Sequence, residues 1–289
     1  KGVTALENHW IQIKGGNAQF RIGGLPPDDY PEQAAAPSAP GFEAPCRILS
    51  DLIGKVDHAQ STDETRANLN GALWEVTPDG DEVRITMVAT DGHRLSKTAF
   101  LGGISTRDMK PAKVIVARKS MATLLKALDA ASAENATVQI INVNLYVTIG
   151  DVTIRARLLD ESYPDYTKVI PKDGGTTRLR LRRSELVSHL KSAATMTTAK
   201  TQIVKLTVGE FGLTISAQNP EIGESSVRVD CEVEGPALVV GVNWKYMVDA
   251  VSALDGDIAV VSAVDQYQPI LVTPADDDGT LHVVMPMRI

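Results

Sequence analysis

Val116-Ala117-Arg118-Lys119-Ser120-Met121-Ala122-Thr123-Leu124-Leu125-Lys126-Ala127-Leu128 aligns without a gap against Val242-Asn243-Trp244-Lys245-Tyr246-Met247-Val248-Asp249-Ala250-Val251-Ser252-Ala253-Leu254. Val, Lys, Met, Ala and Leu fall at the same offsets, so the chain repeats itself with a period of about 125 residues. Each segment reads as a helix, and each follows a buried-strand pattern, Lys113–Val116 or Ala237–Val240. Working outward, a helix over about Arg47–Gln60 is matched by one over about Ser184–Thr198. Strands follow each, Ala72–Val76 and Arg84–Ala89 in one copy, Ile203–Val208 and Gly212–Ala217 in the other. Strands close both copies: Thr137–Ile149 with Val152–Leu158, then Ile258–Val264 with Ile270–Thr273 and a terminal His282–Met287. Alternation in Ala72–Val76 and Thr153–Leu158 predicts sheets with one buried face, which a pair of helices would cover. The expected fold is α+β, with tandem domains that each pack two helices on an antiparallel sheet.

The two full copies are expected over 43–172 and 173–289. Residues 1–42 hold two strand patterns, His9–Lys14 and Ala18–Ile22, then a turn around Pro26-Pro27-Asp28-Asp29. They resemble the last strands of a third, incomplete copy. The Ala/Pro-rich run Pro31–Pro45 lacks periodicity and reads as a linker. Aromatic residues are only 4% of the 289, so the cores must be built from aliphatic side chains. No apolar run approaches a membrane span, and Lys1–Glu7 has no secretory h-region. Cys46 and Cys231 stand alone, which fits a reducing cytoplasm better than a disulfide framework.

Net charge is −7, but it is unevenly spread. The helical ranges 46–60, 117–130, 181–200 and 243–255 carry ten basic and six acidic residues, a surplus of four that leaves −11 elsewhere. Such segregation lets an acidic protein hold a polyanion on one surface, although Lys and Arg also favour exposed helix faces for propensity alone.

The sharpest local stretch is Val88-Ala89-Thr90-Asp91-Gly92-His93-Arg94-Leu95-Ser96, a strand running into an Asp-Gly turn and resuming with a basic pair. Asp91 and His93 could form an acid–base pair, but no nucleophile or substrate clamp accompanies them, so no catalytic residue is expected. His9, His58, His93, His189 and His282 lack ligand spacing, so no metal is expected. Neither glycine-rich phosphate motif is present, and no cofactor is expected. Tyr163-Pro164-Asp165-Tyr166-Thr167-Lys168-Val169-Ile170-Pro171 joins the copies as a stiff, partly apolar connector. Seams of this kind also hold binding grooves. The tail Val283-Val284-Met285-Pro286-Met287-Arg288-Ile289 suits either a last strand or an adaptable partner surface.

These segments together resemble the beta sliding clamp of bacterial DNA polymerase III. The likeness runs through Thr65–Gly71, Ala89–Leu95, Val114–Lys119, Tyr163–Pro171 and Met285–Ile289 in family order and covers essentially the whole chain. It implies a non-enzymatic processivity factor, a head-to-tail homodimer of three-domain subunits closing as a ring around double-stranded DNA. It further implies a pocket for the clamp-binding motifs of the DNA polymerase III alpha subunit, the clamp loader and repair proteins. One subsite would use Leu69, Thr90, Gly92, His93, Arg94, Leu95, Pro164, Val169, Val283 and Met285. The neighbouring surface would use Asn243, Tyr246, Val284, Pro286, Met287 and Arg288. Arg66, Arg118 and Lys119 would meet DNA. Tyr30 would meet Thr195 and Met196 of the partner subunit. Lys168 stands where relatives often carry Arg, and Thr201 where some carry a bulkier apolar residue, which bears on peptide preference. Asp63 and Glu64 precede Arg66 where some relatives are less acidic. Family members carry further residues ahead of the position matching Lys1, which points to a truncated, cleaved or incompletely observed chain. The alternatives are a clamp-like protein that binds replication peptides without closing on DNA, and an enzyme using Asp91 and His93.

Overall fold

The computed structural model describes residues 2–30, 38–105, 108–171, 174–198, 201–210, 212–276 and 279–289. The chain divides into two compact units, Lys1–Ser38 and Ala39–Ile289. In the first, β1 (Gly2–Ala5), β2 (Trp10–Gly15) and β3 (Ala18–Gly23) form an antiparallel sheet in that order. The β2–β3 hairpin lies within a residue of its expected position, while β1, a four-residue strand with no burial alternation, was not expected. No residue of these strands is buried, and Ile11, Ile13, Phe20 and Ile22 are exposed.

The second unit holds the internal repeat. Its first half runs β4 (Phe42–Pro45), α1 (Cys46–Asp57), β5 (Gly71–Asp79), β6 (Glu82–Thr90), β7 (Arg94–Gly102), β8 (Ile104–Ser105), β9 (Ala112–Ala117), α2 (Arg118–Asp129), β10 (Asn135–Ile141), β11 (Asn144–Ile149) and β12 (Val152–Leu159). The second half runs β13 (Thr177–Arg182), α3 (Arg183–Ala193), β14 (Ile203–Gly209), β15 (Gly212–Asn219), β16 (Gly223–Val229), β17 (Glu232–Glu234), β18 (Leu238–Asn243), α4 (Trp244–Ser252), β19 (Ile258–Ala263), β20 (Ile270–Pro274) and β21 (Leu281–Val284). The strand order β7-β6-β5-β9 recurs as β16-β15-β14-β18, and β12-β11-β10-β4 recurs as β21-β20-β19-β13.

Each half buries its own core. Leu49, Ile53 and Val56 of α1 and Met121 and Leu124 of α2 pack on Trp74, Ile85 and Met87. Leu186 and Leu190 of α3 and Met247 and Val251 of α4 pack on Leu206, Ile215 and Val240. Their spacing at three, four and seven positions places these side chains on one helical face. Each fully buried aliphatic side chain stabilises by about 1.5–3 kcal/mol. The buried Trp74 indole donates to Met121 Sδ at 3.2 Å, tying sheet to helix.

The halves are joined by strand pairing rather than by the connector alone. β21 pairs antiparallel with β7, aligning Leu281 with Lys97, His282 with Ser96, Val283 with Leu95 and Val284 with Arg94. One continuous sheet of fourteen strands results.

Several boundaries differ from expectation. Phe42–Pro45, assigned to the linker, is a strand whose Phe42 and Ala44 are buried; residues 31–37 of that linker lie outside the described residues. Thr137–Ile149 is two strands broken at Asn142-Val143, where Asn142 adopts φ 52. The helix expected to Thr198 ends at Ala193, and Ala194–Met196 tightens into a 3-10 turn. The terminal strand stops at Val284, with Met287 making an isolated bridge to Gly241. With the observed bounds the four helices carry eight basic and five acidic residues, so their surplus is three. Lys55, one of the eight, is buried, and Lys200, counted before, lies outside the described residues.

Candidate functional site

The seam between β7 and β21 gathers much of the expected pocket. Strand β6 ends at Thr90, and the next three residues reverse the chain into β7. Thr90 Oγ1 donates to the Arg94 carbonyl at 2.6 Å and accepts from Gly92 N at 3.2 Å. Asp91 Oδ1 accepts from the backbone N–H of His93 (2.9 Å) and Arg94 (3.0 Å). The carboxylate is spent on shaping the turn, which is why an Asp belongs there. Gly92 has φ +91, a conformation that favours glycine, while the nearest atom to a Cβ there would be the movable Arg66 Nη1 at 3.2 Å.

Arg94 fastens this turn to the second half. Its Nε donates to Asp91 Oδ2 at 3.0 Å, its Nη1 to Asp249 Oδ2 of α4 at 2.5 Å, and its guanidinium lies 4.3 Å from the Tyr246 ring centroid. Burial first, then the nearby Asp91 carboxylate, raises the Tyr246 pKa. The tail is held by backbone bonds: Met285 N donates to the His93 carbonyl at 2.9 Å, and Met287 N to that of Gly241 at 2.8 Å.

Leu95 and Val283 belong to a small apolar cluster with Leu73, Val88, Ile115 and Tyr163, against which Leu69, Tyr166 and Ile170 pack. The connector supplies Tyr163, whose buried hydroxyl donates to the Val88 carbonyl at 3.3 Å, and Tyr166, whose hydroxyl donates to Glu75 at 2.7 Å. Pro164 and Val169 are exposed beside these anchors, as is His93. Val284 faces the second core instead, with Tyr246 packed against that core. Asn243 caps α4, its Oδ1 accepting from Lys245 N at 3.0 Å. Pro286 is half-buried, while Met287 and Arg288 are exposed. Arg288 lines a separate groove with Thr201, Ile203 and Lys205.

The opposite face of the same strand pair is polar. Ser96 Oγ sits between His58 Nε2 (3.0 Å) and His282 Nδ1 (2.8 Å). Burial, then the Arg94 charge, holds the His58 pKa down to about 4. Burial and His58 bring His282 to about 3, so both rings are neutral at pH 7. Thr98 and Thr280 hydroxyls meet at 2.9 Å. Lys55 of α1 bridges to Asp255 at 2.6 Å and Asp51 at 3.0 Å. Burial disfavours its charge, but the two carboxylates outweigh that and leave its pKa raised. Sequence reasoning missed Asp249, Asp255, Ser96 and Tyr163; their partners lie far along the chain, and no local signal marks them.

Of the residues expected to meet DNA, Arg118 and Lys119 are exposed at the start of α2. Arg66 is also exposed but turns toward the pocket, reaching Asp63 at 3.7 Å and the Asp91 carbonyl at 3.4 Å. The two places are linked, since Arg118 N donates to the Asn70 carbonyl and Asn70 N to that of Arg66. Tyr30 is exposed in the first unit. Thr195 is exposed and Met196 half-buried on the 3-10 turn after α3. No three metal-binding side chains gather among the described residues, and no helix there is long and apolar enough to cross a membrane.

Tandem two-helix domains joined edge to edge, with an apolar seam and exposed basic helix ends, define a protein of the sliding-clamp type. The model of the DNA polymerase III beta subunit central domain matches residues 44–165, and that of its C-terminal domain residues 167–288. The beta sliding clamp of Vibrio cholerae is 32% identical over 288 residues, covering 99% of this chain and 76% of that protein. The sliding clamp structure from Bacillus subtilis superposes with a TM-score of 0.89 at 28% identity, covering 99% of this chain and 74% of the other. A Bartonella birtlesii clamp bound to griselimycin superposes at 0.88 with 27% identity, covering 99% and 76%. The chain belongs to the bacterial DNA polymerase III beta subunit family, the beta sliding clamps. That family is non-catalytic and serves as a processivity factor.

Proposed function

We propose that this chain is a cytoplasmic DNA sliding clamp that encircles duplex DNA and tethers replicative and repair polymerases through the β7–β21 seam. The observation that carries this reading is the apolar pair Leu95 and Val283, set side by side across the halves, with His93 and Met285 at its end, where Met285 N donates to the His93 carbonyl. An apolar slot with a few fixed polar groups suits the Leu and Phe anchors of a Gln-Leu-x-Leu-Phe segment. Its partners would include the DNA polymerase III alpha subunit and the clamp loader.

The domain assignment extends the repeat: 1–42 as the end of a first clamp domain plus linker, 43–172 as the second, 173–289 as the third. Each copy ends on a three-stranded meander, β10-β11-β12 or β19-β20-β21, and β1-β2-β3 has the same order. β7, paired with β21, has its counterpart in β16, an edge strand. By the same rule β3 of a second copy would pair with β16, giving a head-to-tail homodimer. Thr195 and Met196 adjoin β16, whose Ser225 Oγ donates to the Ala193 carbonyl at 2.8 Å, and Tyr30 follows β3, which supports that seam.

For DNA, Arg118 and Lys119 would contact the backbone without reading bases. Arg66, tied to Asp63 and the Asp91 carbonyl, would take part only by leaving those partners. Fluorescence anisotropy of a labelled Gln-Leu-x-Leu-Phe-type peptide tests the pocket. Saturable binding that disappears on deleting Met285–Ile289 is expected; no binding by the folded chain would favour a diverged paralogue with another partner.

A further inference from the structure

The sheet face that carries Leu95 and Val283 continues into a groove of about 620 Å³. Lys97 lies two residues beyond Leu95 on β7, and Leu281 two before Val283 on β21. The two-residue period of a strand keeps them on that face, and both line the groove. It then crosses β20 and β19 to Arg178 and Arg180 on β13, with Arg84 of β6 on one side and Glu232 and Glu234 of β17 at the far edge.

Among the described lining residues, four cations stand against two carboxylates, in a chain of net charge −7. Arg84 is partly satisfied by Asp79 at 3.4 Å, and Arg180 reaches Glu232 only at 4.0 Å. Lys97 and Arg178 have no ion-pair partner among the described residues. Asp276, just after the lining residue Ala275, is exposed and does not line the groove. Lys97 and Arg178 stand four strand spacings apart, about 19 Å at ~4.8 Å each, a span covered by about six extended residues at ~3.3 Å each.

We propose that this groove receives an acidic segment of a partner protein that flanks its apolar clamp-binding motif. The proposal rests on the reading of Leu95 and Val283 as that motif's pocket. A peptide fits better than a nucleic acid, because Glu232 and Glu234 would repel a continuous phosphate backbone, whereas spaced carboxylates can seat on Lys97 and Arg178 and avoid them.

The test compares labelled Gln-Leu-x-Leu-Phe-type peptides, plain or extended by six glutamates at either end, on the wild-type chain and on Lys97→Glu/Arg178→Glu. Circular dichroism confirms that the variant is folded. At low salt the extension at one end should tighten binding about tenfold. The variant should lose that gain while holding the plain peptide as before. No gain at either end, or the same gain in the variant, overturns the proposal. If the plain peptide fails to bind, the labelled hexaglutamate alone separates the two claims. Binding to wild type but not to the variant keeps the groove and removes the pocket; binding to neither removes both. A single-stranded oligonucleotide of similar length that displaces the glutamate extension would reassign the groove to nucleic acid and overturn the peptide.

Discussion

On the helix-facing side of the β7–β21 pair stand Arg94, Ser96 and Thr98, meeting Asp249, the two histidines and Thr280. On the other side stand Leu95 and Lys97, opposite Val283 and Leu281. The first face is directional: the buried hydroxyls and the bonded ring nitrogens, His58 Nε2 and His282 Nδ1, each meet a particular partner, and a one-residue slip would turn all of them outward. The second face is largely non-directional, and an apolar surface can accept a foreign side chain as readily as its own. One strand pair therefore fixes the register of two domains and, in the proposed function, also offers the docking surface.

The largest break in this contrast should come from Leu95→Ala, which removes a side chain only 2% exposed. It should cost about 3 kcal/mol in urea unfolding and weaken motif-peptide binding at least tenfold. Arg94→Ala strikes the helix-facing side. Its ion pairs are partly solvated, since Asp249 is 40% exposed, so about 2 kcal/mol is expected rather than the 3–5 of a fully buried pair. Peptide binding should also fall, because the Thr90–Arg94 turn loses its anchor. A stability loss confined to Leu95→Ala would mean that the polar face contributes little to the register.

A subtler change is acid. His58 and His282 titrate near pH 4 and 3 in the folded chain, against about 6.5 unfolded. The unfolded state binds more protons below pH 6.5, so their contribution is full above that pH and is lost as pH falls toward 4 and then 3. Thermal unfolding should therefore shift downward over that range, and His58→Gln/His282→Gln should flatten the dependence. The smallest effect on stability, under about 0.5 kcal/mol, is expected for the exposed pair Arg118→Ala/Lys119→Ala. That variant should leave peptide binding intact, while retention on DNA weakens and its salt slope falls by about two. Equal loss of both activities would mean the fold had been damaged.

Helices α2 and α4 were legible because their apolar positions repeat at identical offsets in both halves. β13 and β16 were not assigned, although Thr177–Arg182 alternates buried and exposed residues as a half-buried strand should. Phe42–Pro45 was hidden by its Ala/Pro-rich surroundings, yet it pairs with β10 far along the chain. Asn142 looked like part of a strand because its left-handed turn has no glycine. The site was legible in its local pieces, the Thr90–Leu95 turn and the tail. Its joining contacts were not: Arg94 to Asp249 and Lys55 to Asp255 each span more than 150 positions. Lys55 counted as a basic helix residue for DNA but is occupied at the seam.

Amide hydrogen exchange with and without a saturating Gln-Leu-x-Leu-Phe-type peptide tests the seam most directly. New protection is expected to concentrate at 90–95 and 281–287, with Arg118 and Lys119 unchanged. Saturable peptide binding that left those segments unprotected while protecting another surface would contradict it.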